Sequence, residues 1–491
     1  MNITLGELYF GDLEAYDEAR LHREFFEESF VIPNSMSPKQ LRNNSKFIIT
    51  GRKGVGKTAI QMHLAHHVLH KQGYLTQFFR FVDDMKPEDY SALAGTQTHI
   101  SFIQAIDEKK LFVAYDYRPA WQRVILHKLA VMLIEKGFTN KFTEFCHPTK
   151  SVLSSLFEGI SKSLTVKLSG AAVGIAAEIG VDFSKTGEGS EVSLSEHNAV
   201  AKKLFVEHCA EYRVYFFVDE LVFSRLDATD DEIRARAAMV RDLIRTAKDL
   251  NTEAALAGLD FHFICSLRPE VRNIINDLDG EIGKTIDGRD VALSWLAKDD
   301  SSTTLLDEIF EKKVRNSYWK KIDVDSFVDH NITFGEYSMT FPEFLKTNTW
   351  GRPRDIVRLL QAIAKASPNA KRIGQAEIKA GLDEYSRASL KELFDELGVI
   401  YGPSMIKAIK SAIDRKTYSG SKELWNRISP YLTGLKEERV IGELFDLGVI
   451  QGYLSNPPRY FAAHRGETFL KSHYKVRIHP ALWNELGIRS K

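Results

Sequence analysis

The stretch that decides the fold is GRKGVGKT, Gly51 to Thr58, which fits the phosphate-binding loop pattern GxxxxGK[ST]. The preceding residues, KFIITG (46–51), predict a short buried strand that runs directly into the loop. The following residues, AIQMHLAHHVLHKQG (59–73), predict a helix that ends at Gly73. A strand, a glycine-rich loop and a helix in this order let backbone N–H groups and a helix N-terminus surround a phosphate. The sequence therefore predicts a nucleotide-binding α/β domain.

Bulk composition excludes several classes of protein. The chain has 491 residues, enough for two or three domains, and its formal net charge of zero predicts no overall attraction to nucleic acid or membranes. Three dispersed cysteines exclude a zinc-ribbon or disulfide scaffold and indicate a reducing compartment (Cys146, Cys209 and Cys265). The start of the chain lacks the apolar stretch of a signal peptide, and 168–183 is too short and too charged to span a membrane. We expect a cytoplasmic protein without membrane contact.

Four further apolar runs predict buried strands: LTQFFRFVDD (75–84), RVYFFVDE (213–220), FHFICS (261–266) and DVALSW (290–295). Strands that alternate with helices predict a mostly parallel sheet covered on both faces. Between the strands we expect a mainly helical stretch to about residue 165, with an amphipathic helix over 118–136. We also expect an inserted hairpin over 168–190 and helices over 196–212 and from a Thr229–Glu232 capping box to Asn251.

The loop and the carboxylates of the third strand define the predicted site. We expect the nucleotide to contact the whole loop: Gly51, Arg52, Lys53, Gly54, Val55, Gly56, Lys57, Thr58 and Ala59. Lys57 should reach the β- and γ-phosphates, while the Thr58 hydroxyl and Asp219 should hold Mg²⁺. Glu220 is placed to polarise the attacking water. ATP and Mg²⁺ are the predicted cofactors.

Other classes of protein that contain a phosphate-binding loop match this sequence less well. A GTPase needs the base-reading motif NKxD, and NKFT (140–143) lacks the aspartate. An ABC ATPase needs its LSGGQ signature close to the acidic strand, whereas LSGAA (168–172) lies far ahead of it. A small-molecule kinase is usually shorter and does not need Glu220. A hydrolysing ATPase remains.

Arginines follow two later elements where they could read the γ-phosphate. In SLRPE (266–270), Arg268 comes directly after a buried strand. In WGRPRDIVRLL (350–360), Arg354 opens a helix after a Gly/Pro turn. Both are predicted catalytic residues beside Lys57 and Glu220. Arg272 and Arg289 are alternative candidates for an arginine finger acting on a neighbouring subunit, and the sequence does not choose between them.

Four segments together resemble a bacterial family of P-loop ATPases with AAA+/STAND character: FGDLEAYDEA (10–19), GRKGVGKTAI (51–60), FFVDE (216–220) and GRPRDIVRLL (351–360). The resemblance covers most of residues 1–370. It implies an ATPase core, a helical lid and a winged-helix tail, with the FGD stretch lining the adenine pocket. It also implies a role in phage defence or DNA transactions. The corresponding domains are 1–298, with an insertion at about 150–195, then 299–372 and 373–491.

The C-terminal region predicts the winged helix independently. Helical stretches (404–415, 421–432 and 437–448) precede three short apolar runs (VIQGYL, RYFAAHR and YKVRIH). From Gln451 to Lys491 there are seven Lys or Arg and two acidic residues, a balance suited to phosphate contacts. The third helix, EERVIGELFDL (437–447), is acidic, which argues against insertion into a major groove. DNA and protein therefore both remain possible partners of this domain.

Three functions stay open from the sequence. The first is an ATP-hydrolysing switch that assembles as a homo-oligomer or with an effector protein, in antiviral defence or DNA maintenance. The second is a DNA-binding loader or initiator-like ATPase. The third is a scaffold that binds ATP with little turnover.

Overall fold

The computed structural model describes residues 3–42, 44–84, 116–146, 165–167, 170–178, 191–221, 230–278, 281–295, 305–318, 322–334, 337–398, 401–432, 434–456, 458–465, 467 and 469–488. Within them the strands are β1 Ile48–Thr50, β2 Leu75–Arg80, β3 Thr165–Lys167, β4 Glu191–Ser193, β5 Val214–Leu221, β6 Phe261–Leu267, β7 Asp290–Ala292, β8 Asn331–Phe334, β9 Tyr337–Thr340, β10 Thr417–Tyr418, β11 Ile450–Ser455, β12 Pro458–Phe461 and β13 Lys475–Ile478.

The α-helices of the same residues are α1 Ala15–Leu21, α2 Arg23–Ser29, α3 Lys57–His63, α4 Phe81–Asp84, α5 Arg118–Glu135, α6 Lys141–Cys146, α7 Gly170–Glu178, α8 Leu194–His208, α9 Asp230–Leu256, α10 Pro269–Leu278, α11 Ile282–Ile286, α12 Leu305–Asn316, α13 Val324–Phe327, α14 Phe341–Asn348, α15 Pro353–Ala366, α16 Gln375–Gly398, α17 Pro403–Ala412, α18 Ser421–Ile428 and α19 Glu437–Leu447. Helix α3 continues as a π-helical stretch over Leu64–Leu69 and ends in a 3₁₀ turn before Gly73.

The central sheet has five parallel strands in the order β2-β5-β6-β1-β7. Strand β6 separates β1, which leads into the glycine-rich loop, from β5, which ends in the two carboxylates. Every residue of β6 is buried, so both faces of the sheet are covered. Because the strands are parallel, their carboxyl ends meet at one edge of the sheet, where P-loop folds bind their ligands. The loop, Asp219, Glu220 and Arg268 all lie there.

Several predicted elements differ from the observed ones. The second strand ends at Arg80 instead of residue 84, because Phe81–Asp84 turns into a helix against β5. Helix α5 is buried on most sides between α6, α8 and α9 instead of being amphipathic. Within the predicted hairpin, Gly170–Glu178 is a helix, flanked by the antiparallel strands β3 and β4. The capping residue Thr229 lies outside the described residues.

Lid and winged helix share a second hydrophobic core, distinct from that of the sheet. The predicted lid region, 299–372, contains helices α12 to α15 and a small antiparallel pair, β8 and β9, that was not predicted. Helix α16 falls in the predicted C-terminal region, 373–491, ahead of the winged helix. The winged helix contains α17 to α19 and a four-stranded sheet in the order β10-β13-β11-β12. Its edge strand Thr417–Tyr418 was also not predicted, because two residues are too few for a periodicity.

The N-terminal segment belongs to this second core even though it precedes the sheet in sequence. Leu5 and Phe10 are buried there. The backbone N–H of Leu5 donates to Ala370 O at 2.8 Å, and that of Gly6 donates to Pro368 O at 2.9 Å. The segment then crosses to the sheet domain through α1 and α2. Among the described residues, no helix is long and apolar enough to cross a membrane.

Trp350 connects the lid to the winged helix through a hydrogen bond and a ring contact. Its indole Nε1 donates to Gly448 O at 2.8 Å, and its ring stacks on His479 with 4.2 Å between centroids. Gly448 ends α19 in the left-handed region, with φ of 80°. A side chain at this position would put its Cβ 2.5 Å from Trp350 Cδ1, so only glycine allows the contact.

Candidate nucleotide-binding site

One cavity at the carboxyl edge of the sheet contains most of the predicted site. Its wall includes Lys53, Gly54, Gly56, Lys57, Thr58, Ala59, Asp219, Glu220, Arg268 and Arg354. The other predicted loop contacts, Gly51, Arg52 and Val55, do not line it. Arg52 instead faces a second cavity on the opposite side of the loop, beside Trp350.

The loop takes its shape from glycines in the left-handed region. Gly54 has φ of 77° and Gly56 has φ of 96°, conformations in which side chains other than glycine are strained. A Cβ on Gly54 would lie 3.1 Å from the Cβ of Arg354, so the lid closely approaches the loop at this point. Helix α3 begins at Lys57, immediately after Gly56, and directs its N-terminal N–H groups toward the cavity.

Lys57 is held by the loop itself. Its Nζ donates to the carbonyl oxygens of Gly51 and Arg52, at 2.6 and 2.9 Å. Burial, reinforced by the nearby Arg268 guanidinium, lowers the pKa of Lys57 to about 8. A phosphate would stabilise the ammonium form further by adding negative charge beside it.

Thr58 and Asp219 are in direct contact, because the Thr58 hydroxyl donates to Asp219 Oδ2. A hydroxyl and a carboxylate beside a phosphate cradle are ligands of the kind that Mg²⁺ accepts, and Mg²⁺ also keeps several waters. Asp219 is 3% exposed, so its charge is shielded from solvent and directed into the site. The two side chains fit the predicted metal.

Glu220 adopts an uncommon backbone conformation. Its φ is 59°, in the left-handed region, and the register between β5 and β6 shifts between Val218 and Leu221. Arg80, at the end of the neighbouring strand β2, donates from Nη2 to Glu220 Oε1 at 2.9 Å. Burial raises the pKa of Glu220, and the contact with Arg80 acts against this rise.

The two predicted γ-phosphate sensors both reach the cavity. Arg268 follows β6 and lies 3.8 Å from Glu270. Arg354 starts the lid helix α15, donating from Nε to Leu13 O and from Nη1 to Glu392 Oε1, each at 2.9 Å. The lid arginine is thus oriented by the N-terminal segment and by α16.

A buried charge cluster joins the loop to the lid. Arg352, 4% exposed, donates to Lys53 O at 3.1 Å and forms an ion pair with Asp355 at 3.0 Å. Glu392 lies among several cations: burial alone would raise its pKa, but Arg352, Arg358 and other cations lower it to about 2. The cluster keeps the start of α15 in contact with the loop.

The N-terminal segment supplies a wall of the cavity. Asp12, from the FGD stretch predicted to meet adenine, lines it together with Leu13 and the ring of Phe30. Two other wall residues were not predicted: Glu18 Oε1 forms a buried ion pair with Lys313 Nζ at 2.5 Å. No motif marks this pair, because the two residues are 295 positions apart in the chain.

The alternative arginine fingers are engaged within the chain. Arg272 forms ion pairs with Asp287 and, at 3.5 Å, with Asp290. Arg289 donates to Lys284 O at 3.0 Å. Neither lines the nucleotide cavity, and a role on a neighbouring subunit would require both to exchange these partners.

Fold and site together define a class. The sheet order, with a strand inserted between the loop strand and the acidic strand, is that of the additional-strand P-loop NTPases. The chain has an α/β P-loop NTPase fold, followed by a helical lid and an α+β winged-helix domain.

Comparisons with known proteins add little to this assignment. No protein-family model matches the chain, and no curated protein matches it. Among solved structures, the Orc1 protein of Aeropyrum pernix in complex with DNA is 11% identical, with a TM-score of 0.37, covering 93% of each chain. Cdc6p of Pyrobaculum aerophilum is 12% identical, with a TM-score of 0.32, covering 94% of this chain and 96% of that one.

Proposed function

We propose that this chain is an ATP-hydrolysing switch of the AAA+/STAND type. The observation that carries the proposal is the convergence of Lys57, Thr58, Asp219, Glu220 and Arg268 on one cavity. Two cations, a metal-ligating pair and a separate carboxylate are the groups that phosphoryl transfer to water needs.

In this proposal, each residue of the site has a separate role in binding or hydrolysing ATP. Mg²⁺, when bound by Thr58 and Asp219, would neutralise charge on the phosphates. Lys57 leaves the two loop carbonyls to bind the β- and γ-phosphates, and the N–H groups at the start of α3 stabilise the same charge. Glu220 accepts a proton from the attacking water once Arg80 releases it. Arg268 and Arg354 stabilise charge that develops on the γ-phosphate.

The contacts of the lid supply the switching step. Arg354 reaches the cavity from the first turn of α15, and Arg352 touches the loop carbonyl of Lys53. Trp350, just before both arginines, is hydrogen-bonded to Gly448 in the winged helix. A phosphate that draws Arg354 away from Glu392 and Leu13 therefore shifts the element to which the winged helix is attached.

Assembly and biological role rest on the resemblance described above. It favours a homo-oligomer or an effector protein as partner, and antiviral defence or DNA maintenance in the cytoplasm as the setting. Measurement of molar mass with and without ATP tests the assembly: an unchanged mass would contradict nucleotide-driven assembly of the chain with itself.

The activity is tested with Glu220→Gln and Lys57→Ala. We expect Glu220→Gln to bind ATP with little change and to lose hydrolysis by at least about a hundredfold, because a proton acceptor is removed. Lys57→Ala should lose nucleotide binding. Tight binding with negligible turnover in the unmodified protein, unchanged by Glu220→Gln, would instead support an ATP-binding scaffold.

A second proposal is a DNA-binding loader or initiator-like ATPase. It is favoured by the outward face of the winged-helix sheet, where Lys475 is exposed and Arg477 lies beside aromatic rings. Stimulation of ATP hydrolysis by DNA, lost in Lys475→Glu, would support it. ATP hydrolysis that does not respond to DNA would contradict this second proposal and leave the ATP-hydrolysing switch as the proposed function.

A further inference from the structure

One face of the winged-helix sheet is only partly covered: Gln451 and Arg477 are buried on it, whereas Tyr453, Tyr460 and Lys475 remain partly or fully exposed. The strand register places Tyr453 opposite both Tyr460 and Lys475, and Gln451 opposite Arg477, so these side chains share a face. The alternate residues, including Ile450, Val476 and Ile478, point the other way into the core. The shared face is hereafter called the tyrosine face.

Arg477 is an unusual residue on the tyrosine face. Its side chain is 9% exposed, and its guanidinium carbon lies 4.5 Å from the Tyr460 ring centroid and 4.7 Å from that of Trp483. Within the part of the chain that the structure describes, Arg477 has neither a hydrogen bond nor a carboxylate partner for its side chain. A guanidinium has five N–H donors, and the nitrogen atoms of Arg477 keep some contact with solvent. Its donors are therefore available to an acceptor from outside the chain.

Aromatic rings and a second cation surround Arg477. The rings of Tyr453 and Tyr460 stack with 5.3 Å between centroids and 19° between planes, and both side chains are half-buried. Lys475 is exposed at the edge of these rings. The described strand residues on this face include no carboxylate. Flat rings with neighbouring cations match a ligand that has planar groups and a negative charge in each repeating unit.

We propose that the tyrosine face binds single-stranded nucleic acid. An unpaired base can pack against the half-buried ring of Tyr460, while Lys475 and Arg477 bind the adjoining phosphates. Base stacking on aromatic side chains of a sheet, with backbone contacts to cations, is independent of base sequence. The expected ligand is therefore a strand of either sugar type, bound without strong base preference.

Duplex DNA fits this domain less well. The third helix α19, which would enter a major groove, carries Glu437, Glu438, Glu443 and Asp446 against one arginine. Its C-terminal end is occupied by Trp350, which hydrogen-bonds to the carbonyl of Gly448. Paired bases, moreover, do not present their faces for stacking. The tyrosine face therefore favours a single strand.

This inference deepens the second proposal and rests on DNA or RNA contact, but not on ATP hydrolysis. Lys57→Ala should therefore bind a strand as the unmodified protein does. Different results would contradict the single-strand inference and the DNA-binding loader proposal. Nucleic-acid binding that survives changes in the tyrosine face overturns the inference alone, whereas absence of any nucleic-acid binding overturns both it and the second proposal.

The test is fluorescence anisotropy of full-length protein with labelled oligothymidylate, oligouridylate and a duplex of equal length. We expect both single strands to bind at least about tenfold more tightly than the duplex. Tyr460→Ala should weaken strand binding about tenfold, and Tyr460→Phe should retain it because the ring remains. Lys475→Glu should weaken binding and make it less dependent on salt.

Matched controls come from the same domain. Tyr431 is a tyrosine that is 60% exposed and lies outside the sheet, so Tyr431→Ala should leave binding unchanged. Lys407, exposed on α17, serves as the control for the charge reversal. Equal loss in Tyr431→Ala and Tyr460→Ala, or preference for the duplex, would overturn the inference. Binding of only one of the two single strands would overturn the sugar-independent form proposed here.

Discussion

Arg80 Nη2 lies 2.9 Å from Glu220 Oε1, joining the ends of two neighbouring parallel strands. The arginine is at the last position of β2, and the glutamate is next to the metal-ligating candidate Asp219. The guanidinium also packs on the ring of Tyr16, 4.6 Å from its centroid. The proposed water-activating carboxylate is therefore held by a cation that belongs to neither the loop nor the lid.

Arg80→Ala should raise basal ATP hydrolysis several-fold. The pair keeps Glu220 in a fixed position and lowers its basicity, and both effects end when the guanidinium is removed. Steady-state phosphate release at saturating ATP measures the change, with little expected in the KM for ATP. The matched control is Arg20→Ala, because Arg20 packs on the same Tyr16 ring and has no contact with Glu220 among the described residues. A fall in turnover specific to Arg80→Ala would show that the pair supports catalysis instead.

ATP affinity should decrease as the pH rises above about 8. Burial and Arg268 lower the pKa of Lys57 to about 8, while a bound phosphate raises it again. Above this value, binding must take up a proton, so the affinity falls by up to about tenfold per pH unit; below it, the lysine is already charged. Calorimetry in two buffers with different ionisation heats measures the proton uptake. Lys53→Ala, in the same loop, should keep this dependence, and binding without proton uptake at high pH would contradict the prediction.

Gly54→Ala should weaken nucleotide binding by about tenfold or more, since displaced loop N–H groups lose charge-assisted hydrogen bonds. The new Cβ would lie 3.1 Å from Arg354 Cβ, at a φ of 77°. Gly73→Ala is the matched control: its φ is 75°, and nothing lies within 4 Å of its Cβ position. Equilibrium titration with a fluorescent nucleotide compares them. Equal losses of affinity would mean that the backbone strain, and not the loop's approach to the lid, determines binding.

Gly448→Ala should destabilise the second core far more than Gly434→Ala. Both glycines have φ of 80°, so each substitution carries about 1–2 kcal/mol of left-handed strain. Only at Gly448 would the Cβ also meet Trp350, 2.5 Å from Cδ1, adding about 1–3 kcal/mol. Differential scanning calorimetry should show a larger fall in Tm for Gly448→Ala. Similar falls would contradict a tight junction between lid and winged helix.

The sequence predicted those residues of the site that lie in or next to a single recognisable segment. The strand, loop and helix around Lys57 are continuous in sequence. Asp219 lies near the end of one long apolar strand, and Arg268 directly follows another. Parallel strands bring their ends to one edge, so these residues could be placed together before any contact was known. The confirmed fold class follows from the same reasoning, whereas the roles of the individual residues remain predictions.

The rest of the site depends on contacts between distant segments. Arg80 and Glu220 are 140 residues apart, and Glu18 and Lys313 are 295 residues apart. Glu220 was predicted from its place beside Asp219, but the charged side chains of Arg80, Glu18 and Lys313 carry no motif that marks them as part of the site. The strand predicted over 75–84 extended too far for a related reason: Phe81 is apolar in either conformation, and it is the packing against β5 that makes this segment helical.

The wall formed by the N-terminal segment also determines when the site can form during synthesis. Leu13 is held by Arg354, and Gly11 by Gln361, across separations of 341 and 350 residues. The ribosome makes the loop, the sheet and the first wall long before the lid helix that fixes that wall in place. A nascent chain that has completed its sheet therefore still lacks the contacts that Arg354 and Gln361 make with this wall. The wall of the cavity is therefore fixed only when residues 354 and 361 have been translated and have reached the start of the chain.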